Sequence, residues 1–212
     1  MPTIANIAKI NGIVISGAAA PTDRHILLGT QTASSSATLS FSGINSHRSD
    51  VLRSSFDVLE FRFTNMHPVD DNVQFQFQVN ATDGADFNDS LITSTAFHSY
   101  HNEADDSANI YYQPDSDLAQ QALYQTIGLA LGNADSVKES ASGVLTLYAP
   151  SSITYVKHFT SVMNGHMYHN YTSNFFSAGY INDTTAIDEI SFKMSGGNID
   201  AGQIKMYGIA KA

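Results

Sequence analysis

The 212-residue chain contains no cysteine. Disulfide scaffolds, cysteine-ligated zinc, iron–sulfur clusters and thiol nucleophiles are thereby excluded. Charge is also scarce: Asp, Glu, Lys and Arg make up 14% of the residues, against ~25% in an average soluble domain. Positive charge is the scarcer sign, because ten Lys plus Arg face 20 Asp plus Glu, a formal net charge of -10. A nucleic-acid-binding surface needs a basic stripe, so no nucleic-acid partner is expected. Long hydrophobic runs are missing as well. Asn6, Lys9, Asn11 and Ser16 interrupt the apolar N-terminal stretch, so neither a signal peptide nor a bilayer-spanning segment of ~20 residues is expected, and no membrane partner.

Ser, Thr, Asn and Gln take the place of the missing charge. They suit strand faces, turns and loops, whereas helices favour Glu, Lys, Arg and Ala. A chain of this length builds one domain with a substantial core. Residues 1–34 stand apart as a small, apolar, Gly/Ala-rich segment. Within it Ile4, Ile7, Ile10 and Ile13 recur every three residues, a period that fits neither a strand nor a helix stripe. With Ile15 they mark an extended N-terminal arm, expected to pack on a partner.

From Ala37 onward the period is two. Ala37, Leu39 and Phe41 alternate with polar residues, as do Leu59, Phe61 and Phe63, and then Val73, Phe75, Phe77 and Val79. The Pro/Asp/Asn stretch Met66–Asn72 between the last two runs predicts an antiparallel hairpin with one wet face. Strand-like runs continue at residues 92–100, 144–148, 154–160, 186–194 and 203–209, the last two separated by the turn-rich Ser195–Gly202 and predicted to form a second hairpin. Residues 117–131 fit a helix through Leu118, Ala119, Ala122, Leu123 and Ile127, but Gly128 and Gly132 and the neighbouring strands favour strand. About eight strands without βαβ spacing predict an all-β fold: residues 35–212 as an antiparallel, jelly-roll-like β-sandwich behind the N-terminal arm.

Motifs that carry chemistry are sparse. His98 and His101, and the group His158, His166 and His169, lack metal-site spacing and are expected to be surface or interface residues, with no metal assigned. Residues Asp83–Asp89 resemble a loose calcium loop without the EF-hand order, and a self-capping turn is the plainer reading. No GxSxG elbow and no phosphate-cradling glycine loop is present, so no catalytic residue and no cofactor is expected. The segment from Tyr155 to Tyr180 is richer: Phe159, Tyr168, Tyr171, Phe175 and Phe176 lie among His, Asn, Ser and Thr. Such a mixture suits core and subunit-interface packing, or alternatively the stacking of a host-surface glycan.

The stretch Phe61–Pro68, the following Asp70-Asp71-Asn72 and the alternating glutamines resemble a family of short virion structural proteins of marine tailed bacteriophages. The likeness continues through Ala149–Phe159, Ala178–Thr184 and Ser195–Ile209, and the Ile-Ala-Lys-Ile-Asn-Gly start is similar to phage lead-in segments. The resemblance implies a non-enzymatic virion component, assembled in the host cytoplasm and released by lysis to stand at the virion surface. On that basis the expected role is a capsid decoration, or cement, protein bound to the major capsid protein and to itself as a homotrimer. The alternative is a tail-fibre or head-fibre module that binds host-surface carbohydrate.

Overall fold

Each long alternating run folds as a β-strand in the computed structural model, which describes residues 8–10, 13–15, 25–44, 56–84, 86–87, 89–133 and 139–210. Among these residues there is no helix. The strands are β1 (Ala8–Ile10), β2 (Ile13–Ile15), β3 (His25–Thr32), β4 (Leu39–Ser42), β5 (Phe56–Pro68), β6 (Val73–Ala81), β7 (Ile92–Asn102) and β8 (Ala108–Tyr112). They continue as β9 (Ala119–Gln121), β10 (Gln125–Leu131), β11 (Ala141–Tyr148), β12 (Lys157–Met167), β13 (Tyr171–Ile181), β14 (Ile187–Met194) and β15 (Ile199–Ala210).

Two antiparallel layers result. The larger runs β3-β15-β5-β11-β12-β13-β7, with β8 and β9 both paired to the far side of β7, and the smaller runs β10-β6-β14-β4. One pair, Leu131 with Met167, joins β10 to β12, and a single bridge from Ser36 to Ile199 ties the other side. The closed-up sandwich is a near-barrel, in keeping with the expected jelly-roll-like fold. β1 and β2 form a separate two-stranded antiparallel ribbon with Ile10 opposite Ile13.

Both predicted hairpins are corrected. β5 bonds to β11 and β15, whereas β6 bonds to β10 and β14, so residues 69–72 arch from one layer to the other. The turn between β14 and β15 is a second such arch. The two lie side by side, with Val69 N–H donating to the Asn198 carbonyl at 3.0 Å and Ser195 N–H to the Gln74 carbonyl at 2.8 Å. Alternation reports which face of a strand is dry, and that face is the same whether the next strand lies beside it or across the core.

The segment expected as arm also shortens. His25–Thr32 pairs with β15 as an edge strand, and Ile26 and Leu28 pack on the core. Residues 117–131 hold the strands β9 and β10 and no helix, as their sequence favours. β13 goes beyond the sequence expectation: it forms with β12 an eleven-pair hairpin around the turn 168–170.

The core is built on phenylalanine. Phe41, Phe75 and Phe192 from the smaller sheet meet Phe61 and Phe63 from the larger, with ring centroids 5.2–6.5 Å apart in mostly edge-to-face geometry. Phe77 and Phe159 extend this contact across the layers at 5.1 Å. Buried amides then fasten the segment between β8 and β10 to the smaller sheet. Gln78 donates to the carbonyls of Ser90 and Leu123, at 3.2 and 2.9 Å. Gln125 donates to the Ser116 carbonyl at 2.9 Å and accepts from the Ser94 hydroxyl at 2.6 Å.

Candidate functional site

The five aromatic residues singled out in the sequence do not converge. Phe159 and Phe175 point inward and are buried. Phe176, the next residue, faces outward and stacks on Phe97 at 4.9 Å with a 10° interplanar angle. Tyr171 packs edge-on against Tyr100 at 5.5 Å, and Tyr168 sits in the β12–β13 turn against His169. A single glycan platform made of these five is therefore not formed. Of the arm residues, Ile4 and Ile7 lie outside the described residues, while Ile10, Ile13 and Ile15 belong to the β1–β2 ribbon.

Strand register brings together a different set. On the outer face of the larger sheet Tyr112 lies opposite Phe97, Phe97 opposite Phe176, Phe176 opposite Val162, and Val162 opposite Val144. Five apolar residues thus form one straight row across β8, β7, β13, β12 and β11. The row continues on β5 and β15 as Arg62 and Lys205. Tyr112, Phe97 and Val162 remain 49%, 40% and 37% exposed. At one end of the row β8 pairs only with β7 among the described strands, and its Ile110 is 64% exposed. Sequence reasoning missed this row because its members are up to 79 residues apart, Phe97 to Phe176, and only the register aligns them.

The inner face of the same strands carries a parallel row, Met163, Phe175, His98 and Tyr111. His98, expected as a surface or interface residue, is buried within the chain. Its Nδ1 lies 3.3 Å from the Ser173 hydroxyl, and its ring packs against Tyr111 at 4.6 Å and Tyr100 at 5.5 Å. Burial holds its pKa below the ordinary 6.5, because charging the ring would strand a cation among aromatic side chains.

A pH dependence follows. Below pH 6.5 the unfolded chain takes up a proton at His98 that the folded chain refuses, so stability falls as the pH drops through that window. The limiting slope is about 1.4 kcal/mol per pH unit. Urea titrations at pH 7.5 and 5.5 should show a smaller loss for His98→Phe than for the native chain; an equal loss would place the acid sensitivity elsewhere.

The other described histidines are scattered. His101 Nε2 lies 3.0 Å from Asp105, and His166 stands between Glu139 at 3.1 Å and Glu103 at 3.7 Å. Among the described residues no three His, Asp or Glu side chains are placed to hold a metal ion. In the Asp83–Asp89 loop, Asp83 accepts a hydrogen bond from the Thr185 hydroxyl at 2.8 Å, and Ala85 and Asn88 lie outside the described residues. Comparison with protein-family models, with curated proteins and with solved structures returns no match.

Proposed function

We propose that the chain is a non-enzymatic structural protein of a virion, a capsid decoration protein that sits on the outer surface of the head and binds the major capsid protein. The observation that carries an assembly role is the outer apolar row. The solvent face of an antiparallel sheet is ordinarily polar, and an apolar strip of aromatic and branched residues in register gains only when another protein covers it. Beside it, β8 offers an edge strand with exposed Ile110, Tyr111 and Tyr112, the type of edge that pairs with a further chain unless it is protected. Both features suit contacts between copies of the chain in a homotrimer.

The β1–β2 ribbon supports a separate attachment arm. A two-stranded ribbon of three-residue strands is not stable in water by itself; on a capsid lattice it gains a surface to pack on. The virion assignment itself draws on the sequence resemblance. Head stabilisation then works by mass action: a ligand that binds only the assembled shell raises the free energy needed to open it.

Two measurements test this reading. Immunogold labelling of purified particles should decorate the whole head at high copy number, and label confined to a tail tip would overturn the decoration role. Sedimentation of the full chain should give a trimer, and the double change Phe97→Ser with Phe176→Ser should dissociate it while far-ultraviolet circular dichroism keeps its strand signature. A native chain that sediments as a monomer would refute the self-assembly part.

A further inference from the structure

The outer face of the smaller sheet carries a cleft of about 370 Å³ that the assembly role does not use. Its floor follows from strand alternation. Phe75 and Phe77 turn into the core, so Gln74 and Gln76 turn outward, and the register places Thr126 of β10 and Lys193 of β14 on either side of Gln76. Two rings form the walls: Tyr124, from the segment before β10, and Phe87, from the β6–β7 connection. Their centroids are 6.4 Å apart and their planes tilted by 44°. Lys193 Nζ lies 4.2 Å from the Tyr124 ring centroid, a cation–π contact that covers one face of the ring and holds it in place.

The floor is built before any ligand arrives. Thr126 donates its hydroxyl proton to Gln74 Oε1 at 2.7 Å, and Gln76 Nε2 donates to the same oxygen at 3.2 Å. These bonds orient both amides while leaving the Gln74 Nε2 donors and the Gln76 Oε1 acceptor for a bound molecule. The wall is fastened too, since the Gln78 and Gln125 amides hold the carbonyls of Leu123 and Ser116, and Leu118 N–H donates to the Ser94 hydroxyl at 2.9 Å. Ordering a site beforehand removes an entropic cost from binding.

We infer that this cleft binds a neutral saccharide. Planar amides present a donor and an acceptor side by side, matching neighbouring hydroxyls on a sugar ring, and the aromatic walls take the ring's C–H faces. Asp115 and Asp117 outnumber the single cation Lys193 in the lining, and with the chain's net charge of -10 they disfavour an anionic ligand. The amide floor disfavours an apolar one, because burying it unpaired would leave the Gln74 donors unsatisfied. The cleft floor lies on the smaller sheet and the outer apolar row on the larger, and they meet where the Tyr112 hydroxyl donates to Asp117 of the cleft lining. The inference and the assembly reading fail separately because one is read by sugar binding and the other by oligomeric state.

Saturation-transfer-difference NMR on the full chain tests it, with methyl α-D-glucoside, methyl α-D-galactoside and N-acetylglucosamine as probes and tetra-alanine as a control. Transfer to at least one sugar is expected, with little to the peptide. Gln76→Ala should weaken that affinity at least tenfold and Gln74→Asn at least fivefold, with melting temperatures near the native value, whereas Lys205→Ala on the other sheet should leave it unchanged. Absence of transfer to all three sugars, equal transfer to tetra-alanine, or native affinity in both glutamine variants would overturn the inference.

Discussion

Replacing Phe192 by alanine is expected to destabilise the fold by about 3–5 kcal/mol, the range for removing a fully buried aromatic side chain. Phe192 has no solvent exposure and sits where the two sheets meet. Its ring contacts Phe41 and Phe75 of its own sheet and Phe61 and Phe63 of the other, at centroid distances of 5.3–6.5 Å. Four ring partners are therefore lost together, and favourable aromatic pairs contribute about 0.5–1.5 kcal/mol each beyond their buried area. Because domains of this kind are stable by only about 5–15 kcal/mol, the loss is a large fraction of the total. In urea denaturation the midpoint should fall while the slope stays constant, since the surface exposed on unfolding hardly changes. Phe192→Leu, which keeps most of the volume, should cost clearly less. A loss below about 1 kcal/mol for the alanine variant would mean that the layers collapse around the gap, contrary to the rigid packing of neighbouring rings.

What the sequence makes legible is the dry side of each strand. Leu59, Phe61 and Phe63, then Phe75, Phe77 and Val79, are all buried as their alternation predicts. Which strands are neighbours is not legible, because the period-two pattern of β5 is satisfied equally by a hairpin with β6 and by an arch over the core. β13 escapes for another reason. Its inward set, Ser173, Phe175, Ser177 and Gly179, is hardly more apolar than its outward set, Asn174, Phe176, Ala178 and Tyr180, so no contrast marks it as a strand. The candidate sites inherit both difficulties. Gln74 and Gln76 are visible as a wet face, but Tyr124, Phe87 and Lys193 reach them only through tertiary structure. The outer row needs the register of five strands at once. Phe159 and Phe175 look like platform residues in a sequence rich in aromatics and prove to be core, since alternate positions of one strand face opposite ways.

The second large effect is expected at Lys157. Its position follows from alternation: Lys157, Phe159, Ser161, Met163 and Gly165 form the inward face of β12, which places an ammonium group at a site with no solvent exposure. The chain accommodates it by turning two backbone carbonyls onto Nζ, those of Asp183 at 3.1 Å and of Thr185. Both belong to the crossing from β13 in the larger sheet to β14 in the smaller, which Lys157 thereby ties down. The same crossing is braced by Thr185, whose N–H donates to Asp183 Oδ1 at 2.6 Å and whose hydroxyl donates to Asp83 Oδ2 at 2.8 Å.

Lys157→Ala leaves both carbonyls unpaired beside a cavity, at a cost of roughly 1–3 kcal/mol for each buried polar group that loses its partner. Lys157→Met fills the volume but supplies no donor, so it should fall between alanine and the native chain. Burial holds the Lys157 pKa below the ordinary 10.5, with Asp183 and Asp83 pulling the other way. As the pH rises toward 10.5, the folded chain releases this proton before the unfolded chain does, so the native fold gains stability from Lys157 over that interval. Urea midpoints at pH 7.5 and 9.5 should therefore rise less, or fall more, for Lys157→Met than for the native chain. If both proteins respond identically, the ammonium stays charged in both states and the cost of the methionine variant measures the two lost hydrogen bonds alone.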